Sequence, residues 1–127
     1  MITDQTIWEI ICEGYDYRFF SGLPFDQAQD LYGSMAVDIM HYVPAVEENV
    51  ALMLASGAWT SGIKSGVLMS PEGIGKLDVS FNIEFKVPVL IVTKGEVSTK
   101  GLYVSSDLKK VISYIEKNRR PGVLVLP

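Results

Sequence analysis

Three polar residues, Glu47, Glu48 and Asn49, stand together at the start of a nearly uncharged segment of the sequence. The next ten residues read VALMLASGAW and carry no charge. Carboxylates in the first turn of a helix stabilise its positive end, by roughly 0.3–1 kcal/mol, so these two acids have an ordinary structural explanation. A helix that is apolar on every side, however, is buried all round or covered by a partner. A carboxyl group at the rim of such a surface is partly removed from water, which suits it to share a proton with a ligand.

A second candidate is the run Gly73-Ile74-Gly75, in a loop predicted over residues 70–75. Glycines let a ligand approach the backbone closely, and the next helix would begin just behind them. The run is not a GxGxxG motif, and the neighbouring Glu72 would repel a phosphate. A plain loop is therefore the competing interpretation.

Composition restricts the possible functions. The chain has 127 residues, 48% of them apolar and 20% charged, which predicts one globular domain over residues 1–127. The net charge is -4 and no long basic run is present, so nucleic acid is not an expected partner. With one cysteine and one histidine, neither an internal disulfide nor a Cys/His metal cluster is expected. Cys12 is predicted to be a buried, inert thiol.

Targeting signals are not evident. Residues 1–14 carry Asp4, Glu9 and Glu13 and lack a basic start, so they do not read as a secretory signal. No apolar run approaches the ~20 residues of a membrane span. A cytoplasmic location, away from membranes, is the resulting expectation.

The elements that must position the candidate residues alternate between helical and strand periods. Helices are predicted from Thr3 or Asp4 to Gly14, over 26–32, 45–58 and 76–85, and after a cap at Ser105 or Ser106. Strands are predicted over 17–21, 37–43, 66–69, 87–93 and 123–126. His41, Trp8 and Trp59 are expected in the core or in an interface. This alternation predicts a three-layer α/β fold with a mostly parallel sheet, in which ligands bind at the carboxyl ends of the strands.

Four segments between about residues 3 and 94 resemble the pyrimidine-binding (PYR) domain of thiamine diphosphate-dependent 2-oxoacid decarboxylases. The spacing Glu48-x-x-Ala51-x-x-x-Ala55-x-Gly57 is similar to that family's glutamate helix. The other three segments resemble phosphonopyruvate and sulfopyruvate decarboxylases; they are Phe19-Phe20-Ser21-Gly22-Leu23-Pro24, Gly66-Val67-Leu68-Met69 followed by Gly73-Ile74-Gly75, and Lys86-Val87-Pro88-Val89-Leu90-Ile91. Four such matches in register are moderately specific.

The resemblance implies a site and a chemistry. Glu48, rather than Glu47, would hydrogen-bond N1′ of the aminopyrimidine of thiamine diphosphate and so activate the cofactor for attack on a 2-oxoacid. Two short segments would line the cofactor site: Gly22, Leu23 and Pro24, and Gly73, Ile74 and Gly75. The nearest likeness is to the alpha subunit of sulfopyruvate decarboxylase, a lyase, which would place the chain in coenzyme M biosynthesis in an archaeon.

The sequence also departs from that family. It lacks the Gly-Asp-Gly motif of the PP domain that holds the diphosphate and Mg²⁺, so a separate beta subunit would have to supply both. The assembly would be a homodimer or an alpha/beta hetero-oligomer acting on an anionic 2-oxoacid. Glu72 and Lys76 stand where the family has Ser and Asn; Lys76 is either a contact for the anionic substrate or an ordinary solvated lysine. A PYR-like dimeric domain without decarboxylase activity remains an alternative, whereas a flavodoxin-like nucleotide binder is disfavoured because no suitable phosphate loop is present.

Overall fold

Parallel strands form the centre of the protein. The computed structural model describes residues 4–25, 40–98 and 101–127. Within these ranges the strands are β1 (Phe19–Gly22), β2 (His41–Pro44), β3 (Ser65–Leu68), β4 (Leu90–Lys94), β5 (Tyr103–Ser105) and β6 (Gly122–Leu126). They lie in the order β2-β1-β3-β4-β6-β5, and every neighbouring pair is parallel.

Helices cover both faces of this sheet. The described helices are α1 (Asp4–Glu9), which continues as a π-helical turn (Ile10–Gly14), α2 (Glu48–Thr60), α3 (Pro71–Ile74), α4 (Ser80–Glu84) and α5 (Leu108–Asn118). The predicted three-layer α/β class with a parallel sheet is confirmed. Within the described ranges, no helix combines the length and the apolar character needed to cross a membrane.

The core has two halves because successive strand residues point to opposite faces of the sheet. On one face, Leu90 and Val92 of β4 pack in a cluster with residues of α1 and α5, among them Trp8 and Ile112. On the other face, Ile91 packs with α2 and α3; that cluster includes Ala51, Leu52, Ala55 and Ile74. Burial on both faces explains why the strands read as continuous apolar runs rather than as alternating ones.

The helix α2 starts later than predicted. It begins at Glu48 rather than at Ala45, because Glu47 is extended and its side chain accepts a hydrogen bond from the amide of Asn49, as an N-cap does. The inward face is formed by Ala51, Leu52, Ala55 and Ser56, three of which are small. The bulkier apolar residues point outward, and the exposed fraction of Met53 is 72%.

Other boundaries were also predicted incorrectly. The segment 70–75 is not a plain loop: Ser70 caps the short helix α3 and Pro71 takes its first position, a favoured place for proline. Residues 76–79 are not helical, so α4 is shorter than the predicted helix. Asp107, not Ser105 or Ser106, caps α5 by accepting a hydrogen bond from the amide of Lys110.

Several predictions concern the edges of the sheet. Strand β5, a three-residue edge strand, was not predicted, because so short a segment carries almost no periodic signal. His41 lies on the opposite edge strand and is exposed, so it is not a core residue. Trp8 is fully buried, and Trp59 is half-buried against the same cluster. The helix predicted over 26–32 and the first part of the strand predicted over 37–43 lie outside the described residues.

Cys12 is a buried free thiol, as predicted. Burial raises the pKa of the Cys12 thiol from 9.0 to about 11, opposed in part by the charge of Arg18. At pH 8 the native chain should therefore react with a thiol reagent about 100-fold more slowly than the chain unfolded in urea, because the thiolate is the reacting form. Because the unfolded thiol ionises first, stability should also fall as the pH rises from about 9 towards about 11. Equal labelling rates for native and unfolded chain would show that the thiol is accessible.

Candidate functional site

The strand order reverses at the middle of the sheet, between β1 and β3. These two strands are neighbours, but the chain leaves β1 towards β2 on one side and leaves β3 towards β4 on the other. In parallel α/β sheets such a reversal opens a crevice at the carboxyl ends of the strands, where ligands bind. The residues that end the two strands here are Gly22 and Leu68, which are paired in register.

Glu48 lies at the amino end of α2, the helix that packs across β1 and β3. Because α2 connects β2 to the parallel strand β3, its amino end is at the carboxyl edge of the sheet. The side chain of Glu48 is half-buried and lies against Gly73. A Cβ atom placed on Gly73 would be 3.1 Å from Cγ and 3.3 Å from Oε2 of Glu48. Glycine at position 73 therefore leaves the space that the carboxyl group uses.

Local sequence explains why Gly73 reaches this position. Ser70 follows the buried strand β3 and caps α3; its hydroxyl oxygen accepts a hydrogen bond from the amide of Gly73 at 3.1 Å. Pro71 fixes the first helical position, and Ile74 turns inward into the core. Gly73 is therefore held between the Ser70 cap and the buried side chain of Ile74. Its Cα, which carries no side chain, faces Glu48.

Two backbone hydrogen bonds hold Gly22 and the next residue, Leu23, at the same edge of the sheet. The carbonyl of Gly22 accepts a hydrogen bond from the amide of Ala45 at 2.9 Å, and the next amide, that of Leu23, donates to the carbonyl of Leu68 at 3.1 Å. A Cβ atom on Gly22 would overlap the carbonyl oxygen of Leu68. The segment Gly22–Pro24 therefore enters the carboxyl edge in close backbone contact with β3.

The residues predicted to line the site lie in different surroundings. Glu48 and Gly73 are in contact. Ile74 is 1% exposed and belongs to the core, so its side chain is not part of a surface site. Pro24 and Gly75 are exposed, and Leu23 is half-buried against the α2-side cluster.

Asn49 has a role that sequence reasoning did not assign. Its amide nitrogen donates to the carbonyl of Lys76 at 3.1 Å, and its amide oxygen accepts from the backbone of Asp78 at 2.8 Å. The same nitrogen lies 3.2 Å from the carboxylate of Glu47, which caps the helix. Hydrogen bonds from the hydroxyl and then the amide of Ser80 hold the pKa of the Asp78 carboxyl below its ordinary value. Asn49 therefore ties the segment after α3 to the start of α2, beside Glu48.

Replacing Asn49 with alanine should loosen this tie without unfolding the chain. The variant loses two partly exposed hydrogen bonds to residues 76–78, so the free energy of unfolding should fall by about 1–2 kcal/mol. Hydrogen exchange should become faster at the amide of Asp78, which Asn49 protects. The matched control is Asn118→Ala, which removes an amide bonded only to Tyr114 within α5. An unchanged exchange rate at Asp78 in Asn49→Ala would contradict the role assigned to Asn49.

A groove of about 480 Å³ lies next to this site, between α2 and α4. Met53 and Phe81 line it, with exposed fractions of 72% and 51%. At its base, the Asn82 amide nitrogen donates to the hydroxyl of Ser56 at 2.9 Å, so the buried polar groups there are paired. Phe85 packs beside Phe81 with ring centres 5.0 Å apart and planes inclined by 42°, and it is 61% exposed. Exposed large apolar groups of this kind are typical of surfaces that a partner covers.

No set of three or more His, Cys, Asp or Glu side chains among the described residues is close enough to hold a metal ion. Glu72, beside the candidate site, is exposed. The chemistry available at the described edge of the sheet is therefore that of one half-buried carboxyl group next to a glycine backbone.

The strand order and the parallel pairing define an α/β domain with a parallel sheet whose order reverses between β1 and β3. The sequence matches no family model and no curated protein. Among solved structures, the chain is similar to 2-oxoglutarate:ferredoxin oxidoreductase from Magnetococcus marinus with 2-oxoglutarate, coenzyme A and succinyl-CoA bound, with a TM-score of 0.69 at 19% sequence identity. The similarity covers 96% of this chain but 28% of that one. At this identity the likeness shows a shared fold, and the chain spans little more than a quarter of its neighbour's length.

Proposed function

We propose that this chain is the alpha-type subunit of a thiamine diphosphate-dependent 2-oxoacid decarboxylase. The observation that carries the proposal is the contact between Glu48 and Gly73 at the carboxyl edge of the sheet, beside the reversal in strand order. These two residues come from the segments that resemble the glutamate helix and the glycine loop of that family. A solved structure of similar fold, an enzyme with 2-oxoglutarate bound, supports the same substrate class.

The proposed cofactor fits the residues that are present. Glu48 offers a carboxyl group at the rim of the crevice, and Gly73 leaves space that a Cβ atom would fill. Thiamine diphosphate, when bound, supplies the electron sink that makes loss of carbon dioxide from a 2-oxoacid possible. The carboxyl group of Glu48 would share a proton with N1′ of the aminopyrimidine. Asn49 would keep the neighbouring segment in place, and the Gly22 and Gly73 backbones would border the ring.

A partner chain would complete the site. We propose a beta-type subunit with a PP domain, which would hold the diphosphate and its Mg²⁺, in a hetero-oligomer or together with a second copy of this chain. The outward face of α2 and the neighbouring face of α4 support this arrangement, because both expose large apolar side chains beside Glu48; the exposed residues are Val50, Met53, Leu54, Phe81, Ile83 and Phe85. A partner seated there would remove the carboxyl group from water.

Met53→Glu should weaken this assembly by about tenfold or more, because a charge would be buried in an apolar contact. Sedimentation velocity should detect the loss, both for the chain alone and for the chain mixed with its partner. Met53 is 72% exposed, so the fold itself should tolerate the change. The control is Val104→Glu, an exposed apolar position on β5 at the far edge of the sheet, which should assemble normally. Normal assembly of Met53→Glu would exclude α2 from the interface.

The particular substrate we propose is sulfopyruvate, which would place the chain in coenzyme M biosynthesis in the cytoplasm of an archaeon. Lys76 is exposed and its backbone is tied to Asn49, so its ammonium group projects from a segment fixed beside Glu48. An ammonium group there suits a substrate with a second negative charge. The test compares carbon dioxide release from sulfopyruvate, pyruvate and 2-oxoglutarate by the chain reconstituted with its partner and cofactor. A preference for 2-oxoglutarate would rule out sulfopyruvate as the substrate, but it would not contradict the proposed thiamine diphosphate site.

A second candidate function is a PYR-like domain that assembles but does not catalyse. The observation in its favour is the altered loop, in which Glu72 and Lys76 are both exposed and, among the described residues, Lys76 forms no ion pair with Glu48. Calorimetry separates the two possibilities. A stable assembly that takes up no thiamine diphosphate would support the non-catalytic domain.

A further inference from the structure

Charge is distributed unevenly along this acidic chain. Residues 107–120 contain five cationic and two acidic side chains, a formal charge of +3, whereas the whole chain carries -4. The rest of the chain therefore carries -7. Because salt screens exposed charges beyond about 8–10 Å, a ligand in contact with this segment would experience its local positive charge rather than the net negative one.

The cations of this segment have no carboxylate partner within the described structure. The two ion pairs there are Arg18 with Asp16 at 2.8 Å and Lys64 with Glu116 at 2.6 Å. Glu116 is thus already engaged by a lysine from outside the segment. Asp107 accepts the amide of Lys110 as the cap of α5. Neither acid of the segment neutralises its lysines.

Local stability does not explain two of these lysines. Lys109 and Lys110 lie in the first turn of α5, which has no acidic residue. The helix dipole makes that end positive, so cations there are unfavourable, whereas Lys117 in the last turn is favourable. The first-turn lysines are also exposed and bury little surface. The helix dipole therefore does not account for Lys109 and Lys110.

Two stacked tyrosine rings lie beside these lysines. Tyr103 of β5 and Tyr114 of α5 stack with ring centres 4.4 Å apart and planes inclined by 10°. The depression beside them, of about 510 Å³, is also lined by Ser113 and by Asp107, the acid that caps α5. Both tyrosines are half-buried, and Lys109, Lys110 and Lys117 line the depression with them. We call these five residues the lysine–tyrosine patch. It belongs to the edge strand β5, four strand spacings from β1, or roughly 19 Å, so it is separate from the Glu48 site.

We propose that the lysine–tyrosine patch docks an acidic segment of another protein, one that also carries an aromatic or apolar side chain. The lysines match its carboxylates, and the stacked tyrosines offer a flat apolar surface to the remaining side chain. A nucleic acid fits less well, because a long polyanion would also approach the surrounding surface, where the rest of the chain carries -7. The inference does not depend on the proposed decarboxylase activity.

The test uses the 127-residue chain and a fluorescein-labelled nonapeptide of eight glutamates with a central tryptophan. Fluorescence anisotropy should show binding that weakens steeply as NaCl rises from about 25 to about 250 mM. The variant Lys109→Glu/Lys110→Glu should bind about tenfold more weakly or worse. Its matched control is Lys76→Glu/Lys86→Glu, two exposed lysines outside the patch; both double variants lower the formal charge by four, from -4. If both double variants weaken peptide binding equally, net charge alone explains the effect and the proposal is overturned.

Three further comparisons make the test specific. The same peptide with serine in place of tryptophan should bind more weakly, and Tyr114→Leu should reduce that difference. A labelled single-stranded oligonucleotide is the nucleic-acid arm; if it binds more tightly than the peptide, the proposal fails. Sedimentation of the chain without peptide is the third arm. Salt-dependent self-association that the Lys109→Glu/Lys110→Glu variant abolishes would identify a second copy as the occupant and would also overturn the proposal.

Discussion

Glu48→Gln should reduce activation of thiamine diphosphate by about 10²–10⁴-fold in the complex with the diphosphate-binding partner. The amide keeps the size of the side chain and its place against Gly73, but it cannot take up or release the proton shared with N1′. The direct measurement is exchange of the thiazolium C2 proton for deuterium, followed by nuclear magnetic resonance. This readout needs no substrate, so it tests the role of Glu48 even if sulfopyruvate is the wrong 2-oxoacid.

The neighbouring acid provides a matched control. Glu47 caps α2 through the amide of Asn49 and is exposed, so Glu47→Gln should leave C2 exchange unchanged. Each variant should lose no more than about 1 kcal/mol of unfolding free energy, the range of a helix-end charge or cap. If Glu48 only stabilises the positive end of the helix dipole, Glu48→Gln should show the same small loss of stability but no change in C2 proton exchange. Wild-type exchange in Glu48→Gln would therefore leave the carboxyl group with a structural role alone.

Gly22→Ala should lower the free energy of unfolding by about 3 kcal/mol or more. The melting temperature should fall by roughly 10 °C or more. A methyl group at this position would overlap the carbonyl oxygen of Leu68, which belongs to the backbone of β3 and cannot rotate away. The two central strands would have to separate, and the hydrogen bond from Leu23 to Leu68 would be lost with them. Urea and thermal unfolding would measure the effect.

Gly57→Ala is the control for this prediction. Gly57 lies in the helix α2, and a Cβ atom there would meet nothing within 4 Å. Alanine has the higher helix propensity, so the isolated chain should gain about 0.5–1 kcal/mol. Opposite signs at the two glycines would confirm that close backbone contact, and not glycine itself, makes Gly22 necessary. If Gly22→Ala unfolds at the wild-type urea concentration, the close approach of β1 to β3 is wrong.

Much of the architecture could be predicted from sequence because its signals are local. The runs around Val67 and Ile91 are apolar without alternation, as buried parallel strands require, and the spacing of Val111, Ile112 and Ile115 marks one helical face. Boundaries were less predictable. The helix α2 starts late because Glu47, rather than a residue before Ala45, caps it, and three residues of β5 are too few for a periodic signal. The serine-proline pair at positions 70 and 71 could have predicted α3.

The sequence by itself determined the class of fold and a short set of chemical candidates, among them Glu48 and the glycines at positions 22 and 73. Periodicity and residue type act over a few neighbours, so they can be read in one dimension. Only the tertiary structure decided which candidates meet. It brought Glu48 against Gly73, sent Ile74 into the core, and turned the small residues of α2 inward so that Met53 faces outward. Those outcomes depend on how α2 crosses the sheet and how closely β1 approaches β3, which are contacts between residues more than twenty positions apart.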